Sequence, residues 1–136
     1  MIKPICKDTF ILSRKSVPAT KADLPVVVDL LDTLKANKNE CVGMAANMIG
    51  ISKRIIVFCI GMAIVPMINP IIINRSNSFE AEEGCLSLNG TRKAIRYRTI
   101  TVEFLNQNFK KQEQTLTGFP AQIIQHEIDH CDGILI

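Results

Sequence analysis

Gln125-His126-Glu127-Ile128-Asp129-His130 stands close to the end of a chain of 136 residues. It has the form H-E-x-x-H. The segment around it, from about Phe119 to Cys131, reads as a helix. Thr117 or Gly118 can cap its start, Pro120 suits its first turn, and Gly133 lies just past its end. On a helix, residues four apart lie ~40° from one another at ~100° per residue. His126 and His130 therefore fall on nearly one line, and their imidazoles can hold one metal ion. Glu127 is turned ~100° from His126. There it can reach a water on such a metal without being a ligand, which is the placement of a general base. Ile128 faces the opposite side, towards the core. These are the chain's only two histidines, so the spacing is not picked from many.

Such a helix needs a surface to pack on. Residues 55–73 carry no charge, and Gly61, Pro66, Asn69 and Pro70 interrupt them. A membrane-spanning helix needs ~20 mostly apolar residues without such interruptions, so two buried strands are expected here, Ile55–Ile60 and Ile68–Ile73. Ile100, Val102 and Phe104 alternate with Thr99, Thr101 and Glu103, giving a half-buried strand over Ile95–Phe104. Another strand follows at Gln112–Leu116 after a turn at Asn106-Gln107-Asn108. Residues 74–84 are polar and acidic and read as a loop. Upstream, Thr20 to Asn37 reads as a helix with Leu24, Val27, Val28, Leu31 and Leu34 on one buried face. Residues 1–19 show no strong period. Gly43-Met44-Ala45-Ala46-Asn47-Met48-Ile49-Gly50 is a run of small residues that implies close approach to the backbone. The order is helix, several strands, one helix, which makes the fold class α+β in a single domain over residues 1–136.

Composition narrows the function classes. Sixteen Lys and Arg against thirteen Asp and Glu leave +3, too little and too dispersed for a nucleic-acid partner. No membrane association is expected. The N-terminus shows no secretory signal, and the expected location is cytoplasmic. Five cysteines, an odd number at irregular spacings, suit free thiols in a reducing compartment.

A catalytic metal site takes three protein ligands and keeps one open position. Only six residues follow His130. Of these Cys131 points ~100° away, and Asp132 is the other donor. The third ligand must lie upstream. Cys85, in Glu82-Glu83-Gly84-Cys85-Leu86-Ser87, follows a glycine and an acidic run in an expected loop. A buried structural thiol fits that position poorly, and a metal thiolate fits it well.

At these residues the chain resembles a known family. Glu83-Gly84-Cys85-Leu86-Ser87 and Gln125-His126-Glu127-Ile128-Asp129-His130, about forty residues apart, are similar to the second and third signature motifs of peptide deformylases. Gly43-Met44-Ala45-Ala46 resembles the first. The resemblance implies antiparallel β-sheets packed around the C-terminal helix, and one divalent metal on Cys85, His126 and His130. That metal is typically Fe²⁺, with Zn²⁺ or Ni²⁺ able to occupy the site. It implies hydrolysis of the formyl group from formyl-methionine of new polypeptides, with N-formyl-methionyl peptides as partners, at the ribosome. Glu127 would move the proton, and the Leu86 N–H would stabilise the oxyanion. Gly43, Met48 and Arg92 would lie along the substrate.

The first motif departs from the family. Aligned on Ala45-Ala46, Cys41 replaces its first glycine and Met48 replaces its glutamine, whose amide donates to the oxyanion. A thioether cannot donate. Asn47, one residue earlier, is the nearest amide that could take over. The departure leaves a second reading: a paralogue of weak or altered activity, or a module that only binds formyl peptides. A small metalloprotease is a third, opposed by the upstream position of the third ligand. Three supporting roles are also expected. Asp129 pairs with Arg96 or Arg98, Ile123 lines the methionine pocket or packs in the core, and Glu83 supports the segment carrying Cys85.

Overall fold

Alternation along Ile55–Ile60 sets up the architecture. Ile56 and Phe58 belong to one buried cluster, while Ile55 and Val57 belong to another on the opposite face. A strand apolar on both faces must be covered twice. The computed structural model, which describes residues 1–136, covers it with a helix on each side. The strands are β1 (Gly43–Ala45), β2 (Ile55–Ile60), β3 (Ala63–Cys85), β4 (Leu88–Leu105) and β5 (Lys111–Thr117). They form one antiparallel sheet in the order β1-β2-β3-β4-β5. The helices are α1 (Thr9–Leu12), α2 (Leu24–Ala36) and α3 (Gly118–Cys131).

Helix α3 lies on the face carrying Ile56, Phe58, Ile100 and Val102, and adds Ala121, Ile124 and Ile128 to that core. Ile128 faces inward as its position on the helix requires. Helix α2 covers the other face with Val27, Leu30 and Leu34 against Met44, Ile55, Val57 and Ile68. Its buried stripe is rotated from the expected one: Leu30 is fully buried and Val28 is 49% exposed. The helix also starts later, after a 3-10 turn at Lys21–Asp23 in which Thr20 N–H donates to Asp23 Oδ2.

The largest correction concerns residues 74–84. They are strand, not loop, and pair residue by residue with β4 from Asn74↔Thr101 to Gly84↔Thr91. Composition hid this, because the inward side of the segment is made by Phe79, Ala81 and Glu83 while Glu80 and Glu82 are exposed. A buried carboxylate breaks the apolar alternation that marks a strand. Cys85 is accordingly the last residue of β3, before the Leu86-Ser87 turn into β4. Residues 68–74 contain two of the three register breaks, with Asn69 at φ 52° and Pro70 unable to donate to a ladder; the third lies between Gly84 and Cys85. No helix is long and apolar enough to cross a membrane.

Candidate active site

Two elements bring the site together. Helix α3 supplies His126, Glu127 and His130, all buried, and the end of β3 supplies Cys85. The two imidazoles face each other, Nε2 to Nε2, at 3.2 Å, and Cys85 Sγ lies 3.4 Å from His130 Nε2. These three donors fall within 4.8 Å of one another. Two nitrogens at ~2.0–2.1 Å from a common centre in tetrahedral geometry stand ~3.3 Å apart, and a sulfur at ~2.3 Å stands ~3.6 Å from either. The two distances made by His130 match, and Cys85 Sγ and His126 Nε2 lie within 4.8 Å, so the donor set fits a tetrahedral divalent ion.

The His126 ring is fixed from behind, whereas His130 Nδ1 has no partner. His126 Nδ1–H donates to Glu83 Oε1 at 2.9 Å, which selects the tautomer and leaves Nε2 turned towards His130. Glu83 also accepts from Arg96 through Nε and Nη2 and from Gln122 Nε2 at 2.8 Å. Arg96 in turn donates to Asp129 Oδ2 at 2.7 Å. Of the two expected partners of Asp129, Arg96 is the one; Arg98 stacks over Phe79 instead. Burial alone would raise the Glu83 carboxyl, but its bonds from His126, Arg96 and Gln122 hold it down at about 2. Burial and the His126 charge push His130 down to about 3. Burial would lower His126 as well, yet the neighbouring Cys85 and Glu83 raise it to about 10. Without metal, the pair therefore carries one positive charge near neutral pH, on His126.

Glu127 is 4% exposed, and its Oε1 has no partner. Burial pushes its carboxyl up to about 7, against the pull of the His126 charge. That is a poise suited to taking and returning a proton near neutrality. A cleft of about 590 Å³ opens over this group, lined by Cys85, Leu86, His126, Glu127, Gly43 and Met48. Ile123 and Phe119 supply apolar wall, and Ile123 also packs in the core between α3 and the sheet. The Leu86 N–H, in the turn after Cys85, donates to no protein acceptor. Gly43 permits the close approach of β1 to α3: a Cβ there would lie 2.6 Å from Ile123 Cγ2 and 3.0 Å from Glu127 Oε2.

Two expected residues stand elsewhere. Arg92 does not line the cleft, and its Nη2 donates to the Asn89 carbonyl. Asn47 cannot replace the missing amide, because its Nδ2 is spent on the His130 carbonyl at 2.9 Å. Sequence reasoning missed the bond from His126 to Glu83, since it depends on how β3 lies against α3. It also missed Gln125, which exchanges two hydrogen bonds with the Tyr97 backbone and pins α3 to β4. Gln122, four residues before His126, was open to discovery from helical spacing.

Three donors of this kind beside an unpartnered buried carboxyl, at the floor of an open cleft, make the class of the protein a metal-dependent hydrolase. The comparisons narrow it. The profile of the polypeptide deformylase family matches residues 2–136. A peptide deformylase of Clostridium beijerinckii is 58% identical over 136 residues, all of both chains. Peptide deformylase 2 of Clostridium acetobutylicum is 40% identical, with 92% of this chain and 85% of that one covered. Among solved structures, a peptide deformylase from Thermotoga maritima superposes with a TM-score of 0.89 at 30% identity, covering 99% and 95% of the two chains. A Met-Ala-Ser-bound class I type b peptide deformylase from Acinetobacter baumannii gives 0.87 at 32%, covering 99% and 97%. The chain belongs to the polypeptide deformylase family, whose members are metal-dependent enzymes. The comparisons favour the enzyme over the formyl-peptide-binding module.

Proposed function

We propose that this chain hydrolyses the N-formyl group of formyl-methionyl peptides, through a divalent metal held by Cys85, His126 and His130. The observation that carries the reading is the convergence of those three side chains within 4.8 Å of one another, next to the buried, unpartnered Glu127. The native ion is Fe²⁺, with Zn²⁺ or Ni²⁺ able to take its place, and a mixed thiolate–imidazole set accepts all three. A divalent ion there supplies Lewis acidity and makes water a nucleophile at neutral pH.

The chain's own residues do the rest. Glu127 takes a proton from the attacking water and returns it to the nitrogen of the leaving methionine. The bond from carbon to that nitrogen breaks, and formate and a free amine result. The Leu86 N–H donates to the oxygen that gains charge on attack. Ile123 and Phe119 form the apolar wall against which the methionine side chain packs. Met48 lines the same cleft and offers no donor, so the oxyanion has one hydrogen bond fewer than the family's glutamine would provide. Arg92 has no part in this reading. The substrates are new polypeptides, met in the cytoplasm at the ribosome.

Formate release from formyl-Met-Ala-Ser tests the reading. Protein purified anaerobically with Fe²⁺ should release formate catalytically, and metal-stripped protein should not. Binding of the peptide without formate release would favour the binding module.

A further inference from the structure

Asn47 is the residue beside the position where the family carries its glutamine, and its amide does different work. The side chain is 1% exposed in the 3-10 turn Ala46–Ile49. Its Nδ2 donates to the His130 carbonyl at 2.9 Å and lies 3.5 Å from the Leu12 carbonyl, while its Oδ1 has no partner. Both neighbours of Nδ2 are acceptors, so the NH₂ end is the one that fits there; the reverse orientation would set three oxygens together. A buried amide with an orphaned oxygen is costly. Simple filling of space would be better served by an apolar side chain, so the bond to His130 is what the residue contributes.

The acceptor matters. His130 is the penultimate residue of α3, in the last turn, where carbonyls lack intrahelical donors and helices fray. Otherwise the His130 carbonyl receives only the Gly133 N–H. The adjoining Cys131 carbonyl is held separately, by the Ser16 N–H and by Arg54 Nη1 at 3.3 Å.

We propose that Asn47 is a positioning residue for the metal centre: by holding the His130 backbone it aims the His130 ring at Cys85 and His126. This rests on the reading of His130 as a metal ligand. Partners one shell behind a ligand are typically worth about 10–100-fold in metal affinity.

The test compares Asn47→Ala and Asn47→Ser with Arg54→Met, which loosens the same helix end without touching His130. Each protein is loaded with Co²⁺. Chelator-driven metal loss, the sulfur-to-cobalt charge-transfer and d–d bands, and the apo-protein Tm are recorded. Asn47→Ala should lose metal about tenfold faster or more, with altered d–d bands. Arg54→Met, at a comparable fall in Tm, should keep native bands and native metal loss. Asn47→Ser keeps a hydroxyl donor and covers the case in which Asn47→Ala does not fold; it should fall between native and Arg54→Met on the one side and Asn47→Ala on the other. Unchanged metal loss in both Asn47 variants, or the same change in Arg54→Met, would overturn the proposal. Failure of the native protein to bind Co²⁺ with a thiolate band would overturn the ligand reading itself, and is seen before any variant is compared.

Discussion

His126 Nδ1 lies 2.9 Å from Glu83 Oε1, joining α3 to the end of β3 two residues before Cys85. One carboxylate thus serves both halves of the site, because it orients an imidazole and fixes the strand that carries the thiol. Glu83→Gln should leave Arg96 charged, buried and short of a counterion. Breaking a buried pair in this way costs about 3–5 kcal/mol, and loss of the bond behind His126 should weaken metal binding about 10–100-fold. Urea denaturation and chelator competition on the same variant measure the two effects. Native metal affinity in Glu83→Gln would remove Glu83 from the site.

The metal-free protein should show a pH optimum of stability set by the site. The depressed Glu83 carboxyl contributes stability above its ordinary 4.5, lost as pH falls towards about 2. The raised His126 contributes stability below its ordinary 6.5, lost as pH rises through about 10. His130, lowered from 6.5 to about 3, costs stability as pH falls through that range; Glu127, raised from 4.5 to about 7, costs it as pH rises. Between 4.5 and 6.5 these last two oppose each other. Urea midpoints in the presence of a chelator should therefore be highest between about pH 4.5 and 6.5. Metal loading should remove the His126 part of the decline on the alkaline side, because ligand imidazoles are neutral. A chelated protein most stable at pH 9 would contradict the assignment.

Much of this site was open to reading before any coordinates. The i, i+4 histidines, the Glu between them and the need for an upstream third ligand follow from helix geometry and metal chemistry alone. The two long helices, α2 and α3, and the apolar strands follow from period, whereas the short α1 does not. What stayed hidden depended on tertiary pairing. Residues 74–84 lack an apolar stripe because Glu83 takes an inward position, so β3 was cut short. Asn47 and Met48 are neighbours in sequence, and only the packing of the 3-10 turn against α3 sends the amide away from the cleft. Arg92 sat at a plausible spacing after Cys85, but its side chain turns back to Asn89.

Met48→Gln should raise kcat about tenfold with little change in KM, since an added donor acts on charge present only in the transition state. Met48 is 1% exposed, so the same change should lower Tm, a buried amide costing about 1–3 kcal/mol where it is not fully bonded. Steady-state kinetics and a thermal melt decide it. An unchanged kcat would mean that the Leu86 N–H and the metal suffice for the oxyanion.

Gly43→Ala should be damaging out of proportion to its size. The new methyl would meet Ile123 Cγ2 at 2.6 Å and Glu127 Oε2 at 3.0 Å. Overpacking of this kind typically costs about 1–3 kcal/mol, and displacement of Glu127 should lower kcat more than metal content. Gly50→Ala is the comparison, because a Cβ there meets nothing and only the backbone at φ 85° is strained. Equal kinetic effects in the two variants would show that contact with Glu127 is not what Gly43 provides.

The division of labour between three ligands and one proton carrier is tested most directly by Glu127→Gln at matched metal occupancy. The variant keeps the shape of the side chain and should bind Fe²⁺ or Co²⁺ as the native protein does. Its formate release from formyl-Met-Ala-Ser should fall by about 10²–10⁴, the usual worth of general acid–base catalysis. Loss of metal together with activity would make Glu127 a ligand rather than a proton carrier. Native turnover with full metal content would leave the reaction without the role assigned to Glu127, and would contradict the account.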